Sequence, residues 1–225
     1  KPRGVEGLKF PDLSRDIGVS DLRKKIYDWS YKNYRVEIEN NEMLKGNEKE
    51  KAKSELPLPL PDLLSEHYAN CRTVGEFSAA RKLTTTKVIK YFEGEWLEEY
   101  VLLTLSDLIS KFSNYSFGID VKAIRGTVRD FQIDDYAIKG YQLFAISCNT
   151  GDKTDTLKYK LFEILVRARQ IGGDEARVAL VCGYPNPGCL ENQLIEGWNL
   201  PEGMVRVFGN DDLPNLSEKL KDWIN

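Results

Sequence analysis

Apolar positions along this chain change period several times, and each change marks an element. In "EGEWLEEYVLLTLSDLISKF" (93–112), Leu97, Val101, Leu105 and Leu108 recur at helical spacing, with Trp96, Tyr100 and Leu103 beside them. That spacing predicts a helix over 94–112. "SFGIDVKAIRGTV" and "FQIDDYAIKG" are short and strand-like, and the tight "IKGY" joins the second to "YQLFAISC". Residues 131–138 and 141–149 are therefore expected to form an antiparallel hairpin. "DTLKYKLFEILVRARQIGG" returns to helical spacing, which predicts a helix over 156–170 stopped by a glycine pair. "ARVALVCGY" is a continuous apolar run of the kind a buried strand shows. "MVRVFGN" reads as a further strand and "LPNLSEKLKDWIN" as a closing amphipathic helix. A meander followed by a helical crossover predicts an α/β fold, with a mixed sheet and helices packed on it.

Upstream the pattern is weaker. Residues 1–56 are highly charged, and "ENNEMLKGNEKEKAKSE" (39–55) reads as a solvated helix end or a flexible segment. "LPLPLPD" (56–62) cannot be a helix interior, because each proline removes an amide donor and restricts the residue before it. Short helices are expected from "LPDLLSEHYAN" and "TVGEFSAARKL". The expected organisation is a charged, mainly helical N-terminal extension (1–56), a helical linker (57–92) and a folded domain (93–225).

Composition narrows the function classes. The 225 residues are 41% hydrophobic, enough for a sizeable core, and no apolar run reaches the roughly 18 residues that span a bilayer. A first residue of Lys rather than Met suggests a fragment or a processed chain. The formal charge of -3 does not advertise nucleic-acid binding, so such binding needs a local basic patch. Cys71, Cys148, Cys182 and Cys189 form no CxxC pair; buried free thiols in a reducing cytoplasm are expected. With His67 the lone histidine, a His-rich zinc site is poorly supported.

Candidate chemistry gathers around the hairpin. Alternation puts Leu143, Ala145, Ser147 and Asn149 on one strand face. Asp134 and Asp135 stand on the preceding strand, and only one of them can join Ser147 and Asn149. In the following helix Lys160, Glu163, Arg167 and Gln170 fall on one face, opposite Leu157, Leu161, Leu165 and Ala168. Glu98, Asp134 and Glu163 could supply the hard oxygen ligands that Mg or Mn prefers. Lys160 or Arg167 could neutralise charge developing on a phosphodiester. Lys158, Lys160, Arg167 and Arg169 would make the local basic surface. The same residues have plainer readings: solvated turn aspartates, an exposed glutamate face around Trp96, and surface ion pairs worth ~0.2–0.5 kcal/mol each.

The stretches "GEWLEEYV", "IDDYAIKGYQLFAISCNT", "KLFEILVRARQIGGDEARVALVCG" and "VFGNDDLP" resemble the nuclease half of certain CRISPR-associated proteins. In those, a CARF domain that senses cyclic oligoadenylate precedes a restriction-endonuclease-like domain. The resemblance covers roughly residues 93–215. It implies a PD-(D/E)XK-type core and cleavage of DNA or RNA with Mg or Mn. The family's helix Glu falls on Glu98 and its hairpin Asp on Asp134. Its Glu-x-Lys falls on Ser147 and Asn149, neither of which can do the same work, and no CARF half is recognisable in residues 1–90.

Three functions follow from these readings. One is a metal-dependent nuclease in antiviral defence with a rearranged site, in which Asp134 and Glu98 hold Mg or Mn while Lys160 and Glu163 complete it. Another is an inactive nuclease-fold module that binds nucleic acid or a protein partner. The third is a structural domain of a CRISPR-linked effector. Expected partners are nucleic acid, a CRISPR-linked protein or sensor domain, and a second copy in a homodimer; no membrane is expected.

Overall fold

The computed structural model describes residues 18–60, 70–106, 108, 114–121 (as backbone) and 131–225. The expected helix start at "LPDLLSEHYAN", His67, the end of the 94–112 helix and the segment 122–130 lie mostly or wholly outside the described residues. The chain divides into two compact units, Lys1–Trp96 and Leu97–Asn225.

The described part of the first unit is helical. Helix α1 (Val19–Trp29) buries Val19, Leu22, Ile26 and Trp29 on one stripe and runs on into a π-helical stretch, Ser30–Glu39. Helix α2 (Gly46–Glu55) buries nothing, so "GNEKEKAKSE" settles as a solvated helix. The described part of the proline-rich stretch, 56–60, is non-helical, as expected: Pro57 bridges Thr73, and its carbonyl accepts a 2.8 Å bond from Trp29 Nε1. Helix α3 (Val74–Arg81) opens on a capping box, in which Thr73 Oγ1 accepts from Glu76 N while the Glu76 carboxylate accepts from Thr73 N. Helix α4 (Thr85–Lys90) is capped by Thr84, so the threonine-rich "RKLTTTKVIK" becomes a helix start.

The second unit is a five-stranded mixed sheet flanked by helices, the restriction-endonuclease-like α/β arrangement. Helix α5 (Trp96–Ser106) precedes β1 (Asn114–Val121), β2 (Phe131–Lys139) and β3 (Gln142–Asn149). Helix α6 (Thr154–Gly172) leads to β4 (Arg177–Cys182), helix α7 (Pro187–Trp198), β5 (Val205–Phe208) and helix α8 (Leu216–Ile224). Strands lie in chain order, with the first three antiparallel and β3–β4–β5 parallel. The expected hairpin is present with Lys139 opposite Gln142, and Gly140 turns the chain at a φ of 62°.

Parallel pairing requires cover on both faces, and the burial of Leu143 through Ser147 in β3 follows from that. On one face Leu157, Leu161, Leu165 and Ala168 of α6 pack with Leu143, Ala145, Val178 and Leu180. On the other, Trp223 of α8 meets Phe144 and Phe208 edge-on. The carbonyl end of α8 is held by cations: Lys139 Nζ donates to Ile224 O at 2.9 Å and Arg177 Nη1 to Trp223 O at 3.2 Å. Gly172 sits where a Cβ would come within 2.7 Å of Leu143 Cβ, so the helix stop also lets α6 close on β3.

One element was missed by hydrophobic patterning. Helix α7 fills the span between the last two strands, but it buries only Leu190 and Leu194 and carries Gly188 and Gly197, so its stripe is thin. It protects the sheet margin: Glu191 Oε2 accepts from Val207 N of β5 at 2.8 Å. All four cysteines are thiols rather than disulfides, but burial is uneven: Cys182 is buried, Cys71 and Cys148 are half-buried and Cys189 is exposed. Among the described residues, no helix is long and apolar enough to cross a membrane.

Candidate functional site

The two aspartates of the hairpin part company. The β2–β3 register runs from Lys139↔Gln142 to Asp135↔Ile146, so Asp135 shares the Ile146 face while Asp134 faces Ser147. Just beyond the last register pair, the Asp134 carboxylate bridges to β3 directly. Its Oδ2 accepts from Ser147 Oγ at 3.0 Å and from Cys148 N at 2.8 Å.

Asp134 and Ser147 open into a small cleft completed by Gln132 and by Lys160, Glu163, Ile164 and Arg167 of α6. Helical spacing explains the convergence: the apolar stripe of α6 is pressed onto the sheet, and the polar residues flanking it come to the rim above β2 and β3. The cleft holds about 20 Å³, room for roughly one water-sized occupant. Arg167 is steadied from below by the Phe131 ring, 4.6 Å from its guanidinium carbon, and its Nη1 lies 3.4 Å from Gln170 Oε1. Among the described residues no ion pair joins Lys160 or Glu163 to a neighbour, so the surface-pair reading of these two is not realised there.

The structure thus brings Asp134, Ser147, Lys160, Glu163 and Arg167 to one place. Gln132, which the sequence reading passed over, joins them; its position two before Asp134 on the same strand was the available signal. Three other expected site residues lie elsewhere. Asn149 Oδ1 accepts from Gly151 N at 2.8 Å, closing the turn after β3. Lys158 lines a different groove. Arg169 is turned toward Met204, with Nη2 3.4 Å from its sulfur, so the four cations do not form one patch. The charge of Glu98 helps to raise the Asp135 carboxyl and the Cys148 thiol.

The Asp135 side of the hairpin is a buried acidic pocket. Asp135 is 0% exposed, and its Oδ1 has no hydrogen-bond partner. Cys148 Sγ lies 3.6 Å from the other oxygen. Burial pushes the Asp135 carboxyl well above the usual carboxylate range, and the charges of Asp134 and Glu98 add to the effect. Burial, then Asp135, Asp134 and Glu98, push the Cys148 thiol up in the same way.

For a metal ion, the cleft offers oxygen donors: the carboxylates of Asp134 and Glu163, the Gln132 amide and the Ser147 hydroxyl. This set is hard and suits Mg or Mn, which keep several waters and need only one or two carboxylates. Among the described residues, no three His, Cys, Asp or Glu side chains gather into a metal-holding group. An ion in this cleft would therefore have two carboxylates at most, those of Asp134 and Glu163.

The mixed sheet crossed by α6, with a polar cleft at the hairpin, defines a restriction-endonuclease-like domain. The Card1-like endonuclease domain model matches residues 85–225, more than half of the chain, and the chain belongs to that family. This bears out the resemblance to CRISPR-associated nucleases seen in the motif stretches. Can2 from Sulfobacillus thermosulfidooxidans, solved in complex with cyclic tetra-adenylate, is similar in structure. Its TM-score is 0.60 at 16% identity, covering 92% of this chain and 55% of that one. VC1899 from Vibrio cholerae aligns with a TM-score of 0.54 at 17% identity, covering 90% of this chain and 56% of that one. The chain thus spans little more than half the length of either. No curated protein matches it by sequence.

Proposed function

We propose that this chain is a metal-dependent nuclease of CRISPR-linked antiviral defence, of PD-(D/E)XK type with a rearranged active site. The observation that carries the reading is the convergence of Asp134, Lys160 and Glu163 in one cleft. Asp134 and Glu163 would hold Mg or Mn, which when bound supplies a water of lowered pKa. Ser147 orients the Asp134 carboxylate through its 3.0 Å bond. Lys160, in the same cleft, would take over the role of the family's strand lysine and neutralise charge developing on the phosphodiester. Arg167, braced on Phe131, binds the neighbouring phosphate as a fixed donor fork. Glu98 was expected as a metal ligand, but Glu163 lines the cleft with Asp134 and takes that role in this proposal. We place the protein in the cytoplasm, acting as a homodimer alongside a CRISPR-linked partner or sensor domain.

The test is a manganese-dependent cleavage assay on single- and double-stranded DNA and RNA, beside Asp134→Ala and Lys160→Ala. Cleavage by the parent, lost in both folded variants, is the expected result. Cleavage that survives Asp134→Ala moves the site elsewhere.

One observation favours a second reading, in which the cleft binds nucleic acid without cutting it. Asp134 Oδ2 already accepts two hydrogen bonds, and Ser147 and Asn149 bring no carboxylate or cation to the end of β3. A parent that binds oligonucleotides and cuts none under any of these conditions selects it.

A further inference from the structure

On the flank of α6 away from the cleft lies a groove of about 300 Å³ between α6 and α7. Its walls are Tyr159 and Phe162 from α6, and Leu194 and Trp198 from α7; Lys158 and Gln193 stand at its rim. This size is at the lower end of the ~300–1,000 Å³ range of small-ligand sites. Two of the rings are unusually open for residues of their size: Tyr159 is 66% exposed and Trp198 is 55% exposed. Phe162 backs Trp198, with ring centroids 4.7 Å apart and planes tilted by 40°. An indole braced on one face and open to water is a ready stacking platform.

We propose that this groove takes a base of single-stranded nucleic acid whose backbone continues to the cleft; the proposal rests on the nucleic-acid reading above. Its chemistry matches that ligand in three respects. Aromatic faces stack on any base without sequence preference. Gln193 offers both a donor and an acceptor to a base edge, and Lys158 offers a cation to the adjoining phosphate. Lys160 and Arg167 lie on the same helix as Lys158, displaced around its axis. A helix with its side chains is only about 10–12 Å across, so a few nucleotides of extended strand would reach from groove to cleft. A duplex would first have to unpair and flip a base out of its stack, which disfavours it. The site therefore predicts preference for single strands.

The test uses the intact chain in EDTA, so that a failure of cleavage leaves the readout untouched. Fluorescent oligothymidylate of about 12 nucleotides, within the usual site sizes, and duplex DNA of the same length are titrated in parallel. The parent is expected to prefer the single strand. Trp198→Ala should weaken that binding by about tenfold or more, Trp198→Phe should restore most of it, and the oligonucleotide should quench tryptophan emission of the parent. If the parent binds and Arg167→Ala weakens it while Trp198→Ala does not, the groove proposal alone is overturned. If the parent binds neither strand form, the nucleic-acid reading falls and takes the groove with it. If Trp198→Ala leaves binding intact and converts a dimer to a monomer, the groove is an interface between copies and the proposal is wrong.

Discussion

Asp134 and Asp135 are neighbours in sequence and opposites in environment. Asp134 is half-exposed, bonded to Ser147 and Cys148 N, and shares its cleft with two cations. Asp135 is sealed under the other face, with one oxygen unpartnered and only acidic or weakly polar company. The first can bind or orient a group in the cleft. The second can stay buried only by keeping its proton. The pleat of one strand makes the difference, and it teaches that an acidic pair on a strand is not a pair of ligands.

The largest expected effect breaks the comparison at the cleft. Asp134→Ala should lower manganese-dependent cleavage by about 10²–10³, the usual cost of one electrostatic contact in a transition state, while leaving the fold intact. A loss of folding, read by circular dichroism, would place Asp134 in the structural class with Asp135.

Next, Ser147→Glu with Asn149→Lys restores the family's Glu-x-Lys on the Asp134 face. Ser147 is only 5% exposed, so the new carboxylate beside Asp134 should be costly without an ion and stabilising with one. Saturating manganese should raise the melting temperature of this variant by about 5 °C or more, against a smaller rise in the parent, which offers the ion fewer carboxylates. Faster cleavage should accompany the shift, and an equal response in both chains would count against the ion site.

Asp135 gives the third contrast, through pH. Its folded-state pKa lies above the unfolded value, so its contribution to stability is complete below about pH 3.9 and is lost as pH rises through the folded value. The charges of Asp134 and Glu98 raise it further, and the Cys148 thiol bonds to it. Urea midpoints of the parent should therefore fall from acid toward neutral pH, and those of Asp135→Asn should fall less. Parallel curves would mean that Asp135 is not the proton holder.

The smallest effect belongs to Asn149→Ala. Removing the bond to Gly151 N should cost about 0.5–1.5 kcal/mol in denaturant unfolding and leave cleavage unchanged. A change in cleavage rate would return Asn149 to the site.

Periodicity alone was enough for the hairpin, the two long helices beside it and the order of the last strands, because each buries a wide apolar face with its own repeat. It was not enough for α7, whose two buried leucines are too few to register. Within the site, alternation on β3 and the i, i+3, i+7 spacing on α6 already put Ser147 on one face and Lys160, Glu163 and Arg167 on another. That these two faces would meet, with Gln132 between them, depended on how α6 lies across β3. No local rule could say which aspartate would face the cleft, because that depends on the register with Ile146. Glu98, Arg169 and Asn149 looked equally available in the chain. Packing laid Arg169 against Met204 and closed Asn149 on its own turn. Side-chain type and spacing set what chemistry the chain carries, and long-range packing decided which of those groups share a solvent-facing cleft.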